Sequence, residues 1–364
     1  MTDFNFTSEV EEAEDPIALQ ELFYERGWTD GLPVVPPTPE RVAAFLQASG
    51  YDPSDMIAFI PTRNRIITAE KVAINCVMAG CLPGYMQVVV AILQAMSEPF
   101  FIFHASITST GGSAQFVVVN GPIRHELGMN SGVNVFGPGN RANSTIGRAI
   151  RLIIINVAGA VPGILDKSTQ GHGGKYSFCI AEDEESSPWE PLNVEWGLGE
   201  FSTVTVYAAE APHSIQNHDS GKPEELLTCI AKEMASVGGF SHGQSVLVLS
   251  PEHANIIAKS GFTKHEIKEF LYERACHSKA DLKRWGKIGG EVLPEDETTM
   301  ISRGTGPDDI MLVVAGGAAG GHSAFIPSWS RTRASHFQMK PIGVCIDCGP
   351  VTVPFKEEDS LKGD

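Results

Sequence analysis

Basic residues are what this 364-residue chain has least of: 27 Lys and Arg stand against 44 Asp and Glu, a formal net charge of −17. The excess acid is concentrated. Residues 1–20 hold six acids (Asp3, Glu9, Glu11, Glu12, Glu14, Asp15) and no base. Residues 181–200 hold seven (Glu182, Asp183, Glu184, Glu185, Glu190, Glu195, Glu200), again with no base, which leaves −4 for the other 324 residues. No basic stripe exists to neutralise a phosphate backbone, which argues against nucleic acid as a partner. Anionic membrane surfaces are disfavoured for the same reason. A long apolar span is lacking too. The longest uncharged run, Val72–Ser97, is broken by Pro83-Gly84 and carries Asn75, Gln87 and Gln94, so it predicts two buried helices and no membrane span. The chain opens without a basic segment followed by an apolar run, and its seven cysteines are an odd number. Both predict free thiols in the reducing cytoplasm. A second CxxC is missing, so Cys345-Ile346-Asp347-Cys348, in a tail spanning 343–364, is half a zinc site or a redox pair.

What is present describes a globular protein, with 42% hydrophobic and 20% charged residues. Residues 1–15, acidic with few apolar anchors, read as disordered. Helices are expected over 16–26, over 40–48 and from Ala69 with Thr68 as N-cap, and a strand over 56–60. Phe116–Gly132 (FVVVNGPIRHELGMNSG) aligns without a gap on Ser245–Gly261 (SVLVLSPEHANIIAKSG), at an offset of 129. The two share Val117/Val246, Val119/Val248, Pro122/Pro251, Ser131/Ser260 and Gly132/Gly261. Each precedes a helix opening at a Thr, Thr145 or Thr263, and Ile310–Ala315 offers a third such strand. The pattern predicts an α/β fold with mixed or parallel sheets in two related lobes, 16–165 and 166–342, and an internal duplication is one explanation. Strands apolar throughout, such as Val117–Val119, predict helices on both sheet faces.

Longer stretches carry a resemblance. They are GWTDGLPVVPPTPERV (27–42), KVAINCVMAGC (71–81), NGPIRHELGMNSG (120–132), GPGNRANSTIGRA (137–149), GKYSFC (174–179), SPWEPL (187–192), DDIMLVVAGG (308–317) and HSAFIP (322–327). Over about residues 20–342 the chain resembles a bacterial family of unassigned chemistry, often encoded beside, or fused to, small proteins with a Cys/Sec-Gly-Ser-Cys motif (UGSC-type proteins). The resemblance implies a cytoplasmic enzyme or enzyme subunit, with a UGSC-type protein as candidate partner. It names no reaction, and the redox motif itself is absent here.

Four stretches carry candidate chemistry. In 137–145, glycines and a helix start suit an anion, with Arg141, Asn143 and Arg148 nearby; the alternative is an ordinary capped loop. In 171–179, a strand would put Lys175, Ser177 and Cys179 on one face, and a Lys beside a Cys favours a nucleophilic thiolate. The alternative, a buried structural cysteine, is the commoner fate. After the strand Val204–Ala208 come His213, His218 and Asp219, suited to acid–base work or, with His104, His322 or Glu182, to a divalent metal; a hydrogen-bonded turn is the alternative. In 315–323, the Gly316 and Gly317 amides beside His322 and Ser323 suit an oxyanion. The related strand end at 101–110 carries His104, and Asn120 ends the first apolar strand.

These readings converge on a small-molecule enzyme, a homo-oligomeric hydrolase or lyase acting on a polar carbonyl, amide or related unsaturated substrate. Lys175 or His322 would be the base, His213 or His218 the acid, and Cys179 a candidate nucleophile. Loops 104–112, 137–148, 171–182, 211–219 and 316–323 would meet at the lobe junction. The Glu182–Glu185 run reads as a solvated loop; the alternative is that Glu182 points inward and joins the site. Two alternatives stand: a redox or group-transfer subunit working with a thiol or selenol partner, and a non-catalytic ligand-binding protein.

Overall fold

The strands run in chain order as β1 (Met56–Ile60), β2 (Arg65–Thr68), β3 (Ala114–Asn120), β4 (Cys179–Ala181), β5 (Thr203–Ala209), β6 (His213–Gln216), β7 (Ser245–Leu249), β8 (Cys276–Ser278), β9 (Met300–Ser302), β10 (Ile310–Val314), β11 (His322–Ile326) and β12 (Gln338–Pro341). This computed structural model describes residues 4–13, 15–240, 242–330 and 334–343, so Cys345 and Cys348 lie outside the described residues. Two antiparallel pairs, β1–β2 and β8–β9, accompany two four-stranded sheets ordered β12-β5-β3-β4 and β6-β11-β7-β10. The class is α/β with mixed sheets. In both sheets the third strand runs parallel to the fourth and antiparallel to the second, and the first runs antiparallel to the second.

Each sheet borrows one strand. β6 follows β5 in the chain yet pairs with β11, whereas β12 follows β11 and pairs with β5. The two connections cross where Ala209 bridges Ser328 and the Glu210 N–H donates to the Pro327 carbonyl. The sheets therefore do not divide at residue 165/166, because β4, β5 and β12 all lie beyond it and all belong to the sheet that contains β3.

Strand alternation sorts side chains into layers. Val117, Val119, Val204 and Val206 pack beneath the helices Ala69–Ala79, Met86–Met96 and Arg141–Asn156. Phe116, Val118, Ile180 and Tyr207 meet Val246, Val248, Met311 and Val313 between the sheets. Leu247, Leu249, Leu312 and Phe325 pack beneath Pro223–Ser236, Pro251–Ala258 and Lys264–Arg274. The order is helix, sheet, sheet, helix, and each large side chain so buried stabilises by about 1.5–3 kcal/mol before entropy. Helices thus cover one face of each sheet, not both. The second face is buried on the other sheet, and a strand buried on both sides is apolar throughout whichever element covers it.

The offset of 129 pairs the right strands in the wrong register. Val117 and Val119 face helices, whereas Val246 and Val248 face the other sheet. The Glu182 N–H donates to the Val119 carbonyl, and the Ala315 N–H to that of Leu249, which equates Val119 with Leu249, an offset of 130. A one-residue slip exchanges the two faces of a strand, so the shared valines are not structural equivalents.

Local expectations fare variously. Helices occupy Pro16–Glu25 and Pro39–Ser49, and Thr68 caps Ala69–Ala79. Thr263 opens its helix with a capping box, but Thr145 lies inside a helix that starts at Arg141 with Asn140 as cap. Residues 103–108 are helical, not a strand end. Part of the acidic N-terminal stretch is docked: Thr7 and Ser8 donate N–H and O–H bonds of 2.5 to 3.1 Å to the Glu70 carboxylate, and Phe4 and Phe6 pack on the core. Among the described residues no single helix is long and apolar enough to cross a membrane.

Candidate functional site

The parallel strands β7 and β10 end side by side, and the chain after β7 turns at Ser250-Pro251 into the Pro251–Ala258 helix. Ser250 is the N-cap and Pro251 suits the first helical position. A cleft of about 370 Å³ opens there between residues 134–137 and the segment Ala315–Ala324. Ser214, Ser250, His322 and Ser323 are among its polar lining residues.

The glycine loop of 316–321 shapes one wall. The Gly316 N–H donates to the Ser131 carbonyl at 2.8 Å, so that amide is committed to the backbone. Gly320 and Gly321 both donate to Glu252 Oε2, at 2.6 and 2.8 Å. These amides hold the Glu252 carboxyl below its usual range, that of Gly321 most. Gly321 has φ +56°, and a Cβ there would come within 2.6 Å of His218 Nδ1. Only glycine lets the loop pass. The Gly317, Ala318 and Ala319 amides bond no other described residue.

His322 stands exposed at the cleft, with Nδ1 3.4 Å from Ser214 Oγ and the His218 ring edge-on at 5.1 Å between centroids. Next to it, the Ser323 hydroxyl lies 2.7 Å from His253 Nδ1 and accepts from the Ser250 N–H at 3.1 Å. His253 Nε2 lies 3.0 Å from the Asn217 carbonyl. A carbonyl only accepts, so Nε2 carries the ring proton and Nδ1 accepts from Ser323. His253 is fully buried, and burial depresses its pKa, with the Asn217 carbonyl and Glu252 opposing and His322 and His218 assisting.

Of the residues expected at the site, His322, Ser323, Gly316 and Gly317 line this cleft together. His218 and Asp219 line a neighbouring hollow. His213 shares its strand face with Ile215, which packs under helices, while Ser214 faces the cleft. No metal set results: among the described residues no group of three or more His, Cys, Asp or Glu is placed to hold an ion.

The remaining candidates are engaged elsewhere. Arg141 Nε donates to the Gly80 carbonyl, and Arg148 binds Asp30 through two nitrogens. Asn143 pins the Asn130 backbone through both its amide atoms. His104 sits in the Phe103–Thr108 helix, away from the cleft lining. Lys175 belongs to a 3-10 turn, so it shares no strand face with Cys179. It pairs with Asp166 and Ser168, each at 2.6 Å, and burial lowers its pKa. Cys179 is buried under the helix layer, and burial pushes its thiol further up, the reverse of what a nucleophile needs. Asn120 donates at 2.5 Å to Glu182, which is fully buried and not solvated as expected. Loops 104–112 and 171–182 meet each other instead of the cleft: a Cβ on Gly112 would come within 3.3 Å of the Gly171 Cα.

Sequence reasoning passed over His253, Glu252 and Ser250. The available signal was position: Ser-Pro-Glu-His directly follows an apolar strand and opens a helix, where α/β sites gather. Comparison with known protein families, with curated proteins and with solved structures finds no match.

Proposed function

We propose that the chain is a small-molecule enzyme, a hydrolase or lyase acting on a polar carbonyl, amide or related unsaturated substrate in the cleft between 134–137 and 315–324. One observation carries this reading: an exposed imidazole, His322, borders a cleft whose loop also offers the Gly317–Ala319 amides, which bond no other described residue. An imidazole within reach of a reacting group can take a proton from it or give one to it. Backbone amides stabilise a developing oxyanion without reorganising. The chemistry thus rests on His322 in place of the Lys175–Cys179 pair. The matching order and sense of the two sheets support a duplicated unit.

The test is turnover of a panel of small esters, amides, lactones and hydroxy-acids by the full chain and by His322→Ala. Acid–base catalysis by a positioned side chain contributes roughly 10²–10⁴-fold. His322→Ala should lose about that much of kcat/KM with its fold intact by circular dichroism. Full activity in the variant would remove His322 from the chemistry.

A further inference from the structure

Resting on that reading of the cleft, we infer that Ser214 is a nucleophile and His322 its general base, so that the reaction is transfer of a small apolar acyl group through a covalent ester on Ser214. Strand register carries the placement. In the β6–β11 pair, Ser214 lies opposite Ala324 and Gln216 opposite His322, while Ile215 lies opposite Ser323 and His213 opposite Phe325. Side chains alternate along a strand, so Ser214, His322 and Ala324 share one face and Ile215, Ser323 and Phe325 the other. Ile215 and Phe325 pack beneath helices, and the Ser323–His253 contact is buried on that side. Ser214 and His322 are both exposed and both line the cleft. They also meet each other there, with Ser214 Oγ 3.4 Å from His322 Nδ1. A contact between nucleophile and base is often this loose before substrate binds. With the ring proton on Nε2, Nδ1 accepts from the hydroxyl. Gly317 and Ala319 line the same cleft, and their amides, which bond no other described residue, are the donors for a developing oxyanion. Such a set is recognised by geometry and role, not by sequence position. Val248, Ala315 and Ala324 give the cleft its apolar wall, and its volume of about 370 Å³ keeps the acyl group small.

The step balances with water as the only co-reactant. Ser214 Oγ bonds to the carbonyl carbon as its proton passes to His322 Nδ1, and the carbonyl π pair moves onto oxygen. The tetrahedral centre collapses, the bond to the leaving group breaks, and that group departs with the proton from Nδ1. Water then attacks the Ser214 ester and gives a proton to Nδ1. As the ester bond breaks, Ser214 takes that proton back and the acid is released. A lyase has no use for such an ester, so the pair selects hydrolase over lyase.

Fluorophosphonate labelling tests this without knowledge of the substrate. The full chain is treated with the reagent, and the adduct is located by peptide mass mapping. One adduct per chain is expected, on Ser214, absent from Ser214→Ala and formed roughly 100-fold or more slowly in His322→Ala. Both residues are exposed, so both variants should keep the wild-type circular dichroism. The second measurement is rapid mixing with p-nitrophenyl butyrate. The wild type should release about one equivalent of nitrophenol per chain ahead of steady state and carry the butyryl mass on the Ser214 peptide, and Ser214→Ala should show no burst. The p-nitrophenyl ester of succinate, whose acyl group ends in a carboxylate, should acylate roughly tenfold or more slowly, because an unpaired charge is costly to desolvate. Labelling of another residue, no labelling of folded protein, or an unchanged burst in Ser214→Ala overturns the inference. Equal acylation by the two esters overturns its apolar acyl class. Loss of carbonyl turnover in His322→Ala with full turnover in Ser214→Ala removes the nucleophile and keeps the acid–base reading of the cleft. Labelled Ser214 that depends on His322, without turnover of any carbonyl substrate, keeps the pair and removes the proposed substrate class.

Discussion

The Glu210 N–H donates to the Pro327 carbonyl at 3.0 Å, where the connection leaving β5 crosses the one leaving β11. Past this point each connection enters the other sheet. Neither sheet is complete without a strand from the other's connection, and Phe116 and Val118 of one sheet share a core with Val246 and Val248 of the other.

Two sheets that share both a core and their edge strands should unfold together. Urea unfolding followed by tryptophan fluorescence and by far-ultraviolet circular dichroism should give coincident single transitions, although the length would allow two domains. Separated transitions would mean that the crossing does not couple the sheets.

How much of this was legible in the sequence depends on what each pattern records. Apolar runs bounded by Gly and Pro located β3, β7 and β10, because a buried strand must be apolar and must end at a turn. The same runs could not say which layer a residue faces: Val117 and Val246 look alike, yet one packs on helices and the other on a sheet. The glycine loop was legible as a site element because glycine tolerates the left-handed backbone that Gly316 and Gly321 adopt. Its main anion turned out to be internal, the Glu252 carboxylate, which arrives from 68 residues away and leaves no local trace. His253 was missed for a similar reason, since its partners Asn217 and Ser323 lie 36 and 70 residues off. Cys179 carried two readings, nucleophile and buried structural cysteine, because thiol reactivity is a property of burial and not of neighbours in sequence.

Glu252 anchors the loop at the cleft, and the anchor has a pH sign. The two amides depress the carboxyl, so the folded pKa lies below the unfolded one. The contribution is complete above the ordinary carboxylate range and is lost as pH falls through the folded pKa. Amide exchange at Gly320 and Gly321, followed by NMR, should therefore quicken in Glu252→Ala at neutral pH. Glu252→Gln should be milder, because its side-chain carbonyl still accepts. Equal exchange in all three proteins would show that the carboxylate does not hold the loop.

Cys76, Cys81 and Cys179 are buried, whereas Cys229 and Cys276 are partly exposed. Burial raises the Cys76 and Cys179 thiols, with Cys81 adding to both shifts. Iodoacetamide at pH 8 should modify Cys229 and Cys276 in the native chain and reach the other three only in denaturant. Cys179→Ala should keep cleft activity and cost about 1–2 kcal/mol, as a small cavity in a packed layer does. Rapid native labelling of Cys179 would reopen its candidacy as a nucleophile.

Glu182 carries the opposite sign to Glu252. Burial raises its pKa, while Lys264, the Leu192 N–H and the Asn120 amide pull the other way without prevailing. Its Oε2 accepts from Asn120 and Leu192, but its Oε1 is buried with no partner among the described residues. A carboxyl raised on folding stabilises fully below its unfolded pKa, and that stabilisation is lost as pH rises through the folded pKa. Glu182→Gln stays neutral throughout and can keep an acceptor towards Asn120 and Leu192. Its stability relative to wild type should therefore improve as pH rises from about 4.5, near the unperturbed Glu pKa. The gain should be about 1.4 kcal/mol for each pH unit until the folded pKa is passed, after which the two curves run parallel. Urea midpoints measured across that range read the difference directly. Curves parallel from the start would show that Glu182 ionises in the fold as it does in water, held by charges that outweigh its burial.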